Sequence, residues 1–505
     1  MNPSTGSDAF FTRRVLPLLR TATGAQLLLM AVGAATVLLY IAALPPAPAP
    51  VAVLPPAYTQ RYAPLIPLFW GITAPLMLLG EVLRLRQTIS KGDLAAYLCL
   101  SVGIFAVYTG LWAPLLLPFL GIGLILNGVR QHRLGVKPWP RGALWPVAAV
   151  LLWVGYDFLS LSWSPDPQAG RHFLLLQVWI VPIVVVALAY PLPRRVLRLL
   201  MQALLRWGML YVLLLLFLYL GACALIPCPT DVCFTTDKLY FPGPLGKLSP
   251  HFLLKLYPRG YDHYTFLGVL ISLPLFYQLP TWVRSAPAGR TAMHLAVQAL
   301  LPTLALLGYS FVMQGRLVMI LCVLLLITQL LLLVRTLLPA RHRRAYGVIV
   351  LLGFLLAGGG ALYRTRAYLF QGDRATIQRR ALEHLQQEDA LMSGMGYGTS
   401  GAFVHSLGLD KKHLHNQFEE TLYSAGLPAL LLFMLFLLSL LYTGLTRRAR
   451  PGLLLLLPLF LLMWVDLVFY VTPYMLGLWL PTLLALFPAP KSDSVAFSTL
   501  PNSSF

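Results

Sequence analysis

Hydrophobic residues make up 58% of the 505-residue chain and charged residues only 11%, with a mean hydropathy of +0.74, whereas ordinary soluble domains carry roughly 25% charged residues. That balance excludes an ordinary soluble domain and specifies an integral membrane protein. The net charge of +21 is spread over alternate loops, so nucleic acid is an unnecessary partner.

Apolar runs close to the ~20 residues needed to cross a bilayer recur along the chain. The first, 25–44, follows Arg13, Arg14 and Arg20. It is too long for a signal-peptide core and lacks a small-residue cleavage site, so it reads as a retained span. An Ala/Pro-rich connector at 45–62 has no chemistry to offer. Spans at 63–82, 94–110, 111–128 and 142–161 follow, the last ended by the proline-limited turn Ser162-Trp163-Ser164-Pro165-Asp166-Pro167. Next come 173–190 and 207–226, a polar loop at 227–263, and spans at 264–280, 292–312, 317–334 and 346–362. A long polar segment, 363–425, precedes the last runs at 426–445, 453–471 and 474–489.

The expected fold class is an all-α polytopic membrane protein of about 12–14 transmembrane helices with one long external loop. Three parts are expected: 1–362, spans with short loops and an outside loop near 227–263; 363–425, the large outside loop carrying the site; and 426–505, the C-terminal spans and tail.

Orientation follows the Lys/Arg bias of short loops. With the N-terminus inside, every second loop is basic, among them Arg84/Arg86/Lys91, Arg194/Arg195/Arg198/Arg206 and Arg335/Arg341/Arg343/Arg344. Loops 227–263 and 363–425 then fall outside. Cys99, Cys223 and Cys322 lie in spans, as small buried hydrophobes do. Cys228 and Cys233 share an outside loop, where an oxidising compartment permits a disulfide. No second Cys or His pair beside them has zinc-like spacing.

Chemistry is expected in 363–425. Arg374 to Gln387 is rich in helix formers, with Ile377, Ala381 and Leu385 at helical spacing. The stretch Gly394-Met395-Gly396-Tyr397-Gly398-Thr399-Ser400-Gly401 has no preceding strand and no following Gly-Lys-Ser/Thr, so it is no nucleotide fingerprint. Two readings stand: a turn that lets the backbone pass close to something, or backbone N–H groups at Gly396 and Gly398 that help hold a phosphate.

From Leu414 the pattern predicts an amphipathic helix along the outer membrane face. Leu414, Phe418, Leu422 and Ala425 share one side; His415, Asn416, Glu419, Glu420 and Tyr423 share the other. Gly426 ends it and Pro428 starts the next span. Imidazole is suited to removing a proton from an attacking hydroxyl, and His415 is the leading candidate. Glu419, four residues on, is placed to orient it. His384, His405 and His413 read as histidines that only hydrogen-bond.

Arg259 and Arg316 stand at outer ends of spans against the inside-positive pattern. Guanidinium groups bind phosphate oxygens through paired donors; snorkelling to lipid headgroups is the other reading. Arg374, with Arg364, Arg366, Arg379 and Arg380, can bind an anionic lipid head or a sugar chain, or simply solvate a helix face. Asp157 and Asp466 are the conspicuous acids within apolar runs.

His415-Asn416, nine residues and then Gly426 resembles the signature of bacterial O-antigen ligases, in which a Gly, Thr or Tyr stands three residues further on; here that position is Ala429. The wider family of O-antigen ligases, O-antigen polymerases and protein O-oligosaccharyltransferases shows three more features. These are a Trp-Ser turn like Trp163-Ser164-Pro165-Asp166, an outer-end arginine like Arg316, and a Gly-x-Gly stretch like Gly394 to Gly398 ahead of the histidine. The resemblance covers 150–445.

It implies a GT-C-type helical bundle in the bacterial inner membrane with its active site facing the periplasm. Such an enzyme moves a finished glycan from undecaprenyl diphosphate to a sugar hydroxyl of lipid A-core. The implied partners are that carrier-linked donor, the lipid A-core acceptor and membrane lipids. No cofactor or metal is implied, since the diphosphate carries its own activation and arginines can meet the departing charge. The implied roles are His415 as base, Glu419 as its orienting carboxylate, Arg259 and Arg316 on the diphosphate, and Asn416, Arg374, Gly396 and Gly398 in substrate binding. A polymerase or protein-glycosylating enzyme differs in acceptor, and a transporter or flippase is the non-enzymatic alternative.

Overall fold

A computed structural model describes residues 75, 78–83, 85–86, 89–109, 113–133, 144–189, 191–225, 264–284, 300–310, 315–337, 341–342, 345–346, 348–349, 352–353, 373–409, 413–447, 449–469 and 472–488. The expected spans 25–44 and 317–334 therefore fare differently, the first lying outside the described residues. Arg259, Cys228 and Cys233 also lie outside them.

Among the described residues the chain is helical, with no strand. In chain order the helices are α1 (Lys91–Thr109), α2 (Ala113–Arg133), α3 (Leu144–Leu159), α4 (Pro167–Gln177), α5 (Ile180–Ala189), α6 (Arg194–Leu225), α7 (Tyr264–Arg284), α8 (Arg316–Leu337), α9 (Asp373–Gln387), α10 (Ser400–Ser406), α11 (Gln417–Thr446), α12 (Arg450–Val465) and α13 (Thr472–Leu486). A 3-10 turn, Ser160–Trp163, extends α3. The stretches Leu144–Trp163, Pro167–Ala189 and Gln417–Thr446 are long and apolar enough to cross a membrane, and shorter apolar helices such as Thr265–Pro280 and Arg450–Val465 accompany them.

The chain divides into two compact units. The first comprises Met1–Leu126, Ala203–Leu275 and Met293–Thr328. Small residues let its helices approach closely: Gly103 of α1 lies against Leu120 of α2, Gly123 of α2 against Leu100, and Gly268 of α7 against Val318 of α8. Its buried carboxylate, Glu81, pairs with Arg206 and accepts a hydrogen bond from Tyr97 Oη at 3.3 Å.

The second unit comprises Asn127–Gln202, Phe276–Ala292 and Gln329–Phe505. Here α11 packs most extensively on α3, with α12 and α13 beside it and α5 against α3 and α13. Aromatic rings fill the junction: Trp153 of α3 lies 4.6 Å from Phe433 of α11 and 5.1 Å from Phe469 beyond α12, centroid to centroid, and Phe469 stacks on Trp479 of α13 at 5.4 Å. Such pairs hold helices together by close packing, the term that remains where lipid is as apolar as the side chains.

The polar segment from α9 onward has a core of its own. Ile377, Ala381 and Leu385, spaced along α9, are buried with Ala390, Val404 of α10, Leu414 and Tyr423 of α11. The helical periodicity over 374–387 thus marks a true buried face.

Candidate functional site

Helix α11 begins later than the amphipathic pattern suggests. Asn416 is its N-cap, the side-chain Oδ1 accepting from the N–H of Phe418 at 3.0 Å and of Glu419 at 3.4 Å. His415 therefore lies outside the helix, in the left-handed region with φ 60°. That conformation is unfavourable for a residue with a Cβ and persists only where the surroundings enforce it.

The enforcement is a buried carboxylate. Glu420, 1% exposed, accepts from Ser400 Oγ at 2.5 Å, from Ser424 Oγ at 3.2 Å and from the N–H of Leu414 at 3.2 Å. Leu414 itself is fully buried. The residue before His415 is thus held by a hydrogen bond and by packing, while Asn416 fixes the residue after it.

Burial does not follow the two expected sides of this segment: Leu414 and Ala425 of the apolar side are buried while Phe418 and Leu422 are half-buried, and Asn416, Glu420 and Tyr423 of the polar side are buried while His415 and Glu419 are half-buried. Polar residues are buried here because α9 and α10 cover them, His384 of α9 reaching Tyr423 and Ser400 of α10 reaching Glu420.

The carboxylate facing His415 is Asp466, which follows α12; its Oδ1 lies 3.5 Å from His415 Nδ1. Glu419, expected in that role, makes no side-chain hydrogen bond or ion pair among the described residues, where its buried Oε2 has no partner. The i,i+4 relation requires both residues inside one helix, and the cap at Asn416 breaks it. Asp466 is fixed in turn. Its N–H donates to Leu462 O at 2.8 Å, its Oδ1 accepts from the N–H of Leu467 at 2.9 Å, and Gln417 Oε1 accepts from the N–H of Val468 at 3.2 Å. Gln417 ties the start of α11 to the turn that presents the acid.

His413 completes the cluster. Its ring centroid is 4.1 Å from that of His415, tilted by 60°, and its Nδ1 accepts from the N–H of His415 at 3.3 Å. Ligand-capable atoms of His413, His415 and Asp466 all lie within 4.8 Å of one another, so these three residues could hold a cation. No metal-ligand spacing is visible in the sequence because the acid comes from beyond α12, some fifty residues after the histidines.

The Trp-Ser turn and the glycine loop meet far along the chain. Trp163 Nε1 donates to Ser393 O at 3.0 Å across 230 positions, and Ser164 Oγ donates to Tyr397 O at 2.8 Å. Gly394, Gly396 and Gly398 all have positive φ. A Cβ on them would strike the backbone of Gly426, Ser164 and Gly170 respectively. Gly426 is equally confined: at φ 80° and ψ −177° it kinks α11, against Met392 O. Close backbone approach accounts for Gly396 and Gly398. Below them Tyr397 Oη donates to Gln177 Oε1, and Gln177 Nε2 donates to Asp157 Oδ2 at 2.6 Å, which consumes the buried acid of α3 in an internal link.

Arg316 is exposed at the first position of α8, in the first unit. Arg374 lies in the first turn of α9, its side chain outside the described residues. His384 hydrogen-bonds with Tyr423 Oη at 3.0 Å and stacks on Phe403, which is the hydrogen-bonding role expected of it. A cavity of about 520 Å³ between α9 and α10 is lined by Arg380, Glu383, His384 and Phe403 but not by His415 or Asp466.

No family model, curated protein or solved structure matches the chain. Asp466, Glu420 and Gln417 are the site residues not picked out as such in the sequence. An isolated acid in an apolar run is a default functional candidate; that signal marked Asp157 and Asp466 alike and named no partner for either.

Proposed function

We propose that this chain is a membrane glycosyltransferase of the O-antigen ligase type, a GT-C-like bundle in the bacterial inner membrane that transfers a glycan from undecaprenyl diphosphate to a sugar hydroxyl of lipid A-core on the periplasmic side. What supports this most is the environment of His415: a histidine in a left-handed turn, flanked by a buried anchor and a helix cap, with a carboxylate 3.5 Å from Nδ1. A carboxylate at Nδ1 favours the tautomer in which Nε2 takes a proton. Contacts of this kind are often long before substrate binds.

In the proposed reaction His415 Nε2 receives the proton of the acceptor hydroxyl. The acceptor oxygen bonds to the anomeric carbon from the face opposite the diphosphate, and the bond to the diphosphate oxygen breaks with its electron pair, inverting configuration. Asp466 stabilises the imidazolium. Arg259 and Arg316 are assigned to the diphosphate from their expected places at the outer ends of spans, where paired guanidinium donors suit its oxygens.

The test is transfer by the purified full chain from carrier-linked glycan to lipid A-core. His415→Ala should lower the rate by roughly the 10²–10⁴ of a lost general base, and Asp466→Asn should lower it less. A His415→Ala rate equal to wild type refutes the proposal. In a deletion strain, long carrier-linked chains with bare core mark a ligase, whereas single carrier-linked repeats mark a polymerase.

A further inference from the structure

We propose that His413, His415 and Asp466 form a binding site for a divalent transition-metal ion of the zinc class, and that an ion bound there silences His415. The silencing rests on His415 being the base of the proposed transfer; the binding does not.

The geometry suits such an ion. Tetrahedral zinc with bonds of about 2.0–2.1 Å holds its ligand atoms about 3.4 Å apart. His415 Nδ1 and Asp466 Oδ1 are already 3.5 Å apart, and all three ligand atoms lie within 4.8 Å. His413 has to close by no more than about 1.4 Å, within reach of side-chain rotation. The two rings are tilted by 60° rather than stacked flat, so a lone pair from each can converge. They lie together because only Leu414 separates the two residues and because His415 adopts φ 60°.

Donor chemistry selects the ion. Two imidazole nitrogens and one carboxylate oxygen favour zinc, nickel or copper over magnesium or calcium, which prefer all-oxygen shells. Three protein ligands leave a fourth position for water. Support around the ligands is in place: Asp466 Oδ1 accepts from Leu467 N–H, and Gln417 Oε1 holds the N–H of Val468 in the same turn. A contact of His413 opposes binding. His413 Nδ1 accepts from the N–H of His415, and that bond is lost whichever nitrogen of His413 takes the ion; at 3.3 Å it is long and weakly held.

Silencing follows from the single lone pair of a neutral imidazole. An ion on Nε2 of His415 occupies the proton-accepting site directly. An ion on Nδ1 leaves the ring hydrogen on Nε2, which then cannot accept a proton. An ion bound there would therefore block the proposed transfer.

The test uses the full chain in detergent, stripped with chelator and titrated with Co²⁺, whose four-coordinate complexes absorb in the visible. Wild type should develop that absorption and lose it to added Zn²⁺. His413→Ala and Asp466→Asn should weaken binding by more than the roughly 10–100-fold that loss of an outer-shell partner costs. His405→Asn, at an exposed position, should bind as wild type does. Circular dichroism and elution volume identify any variant that fails to fold. Absence of the absorption in wild type, or its persistence in both ligand variants, overturns the site. In the transfer assay Zn²⁺ should lower the wild-type rate by roughly 10²–10⁴, and His413→Ala, at whatever rate it retains, should no longer respond. Binding that depends on the three residues, together with zinc-insensitive transfer, would uphold the metal site and overturn His415 as the base.

Discussion

Replacing Glu420 with alanine removes one carboxylate from three buried donors: Ser400 Oγ at 2.5 Å, Ser424 Oγ at 3.2 Å and the Leu414 N–H at 3.2 Å. The serines are the adaptable members, since a hydroxyl can turn, and Ser424 can reach back to a carbonyl of its own helix. The Leu414 N–H cannot turn. Left unpaired in a buried site, it costs about 1–3 kcal/mol. Ser400 is itself buried, and loss of its short charge-assisted bond raises the total to about 2–4 kcal/mol. Amide hydrogen exchange of the peptide containing Leu414 reads this directly, because local opening should become about 30- to 700-fold more frequent at 1.4 kcal/mol per tenfold. Glu420→Gln keeps one carbonyl acceptor, and the serines can accept from its amide, so it should cost about 1 kcal/mol. If exchange at Leu414 in Glu420→Ala matches wild type, Glu420 does not anchor the residue before His415.

Two further outcomes are expected. Gly426→Ala should destabilise the protein by more than the roughly 1–2 kcal/mol of a left-handed alanine, because its Cβ meets the backbone of Met392 and Gly394; an unchanged thermal midpoint in detergent would contradict the close approach. For topology, a cysteine at exposed Ser406 should be labelled from the periplasmic side and one at exposed Arg341 should not. Ser400 is unsuitable for that probe because it is buried on Glu420. The reverse labelling pattern would place the site in the cytoplasm.

Among the described residues, the positions of several helices were legible in the sequence because run length and periodicity are local properties. Arg316–Leu337 and Thr472–Leu486 lie where apolar runs predicted spans, and Ile377, Ala381 and Leu385 are buried as their spacing required. The break at Gly426 was legible too, since glycine is the residue that readily adopts φ 80°. His415 stood out by its chemistry. Its partner did not, because Asp466 comes from beyond α12 and only folding brings the two side chains together. Periodicity misassigned Glu419 for a related reason: a helix cap is a single-residue event, and Asn416 shifts the start of α11 past the histidine. Tertiary packing also decided which side of α11 is buried and why three glycines follow one another at alternate positions. Each lies against backbone from a distant part of the chain, and no local pattern specifies what a glycine will touch.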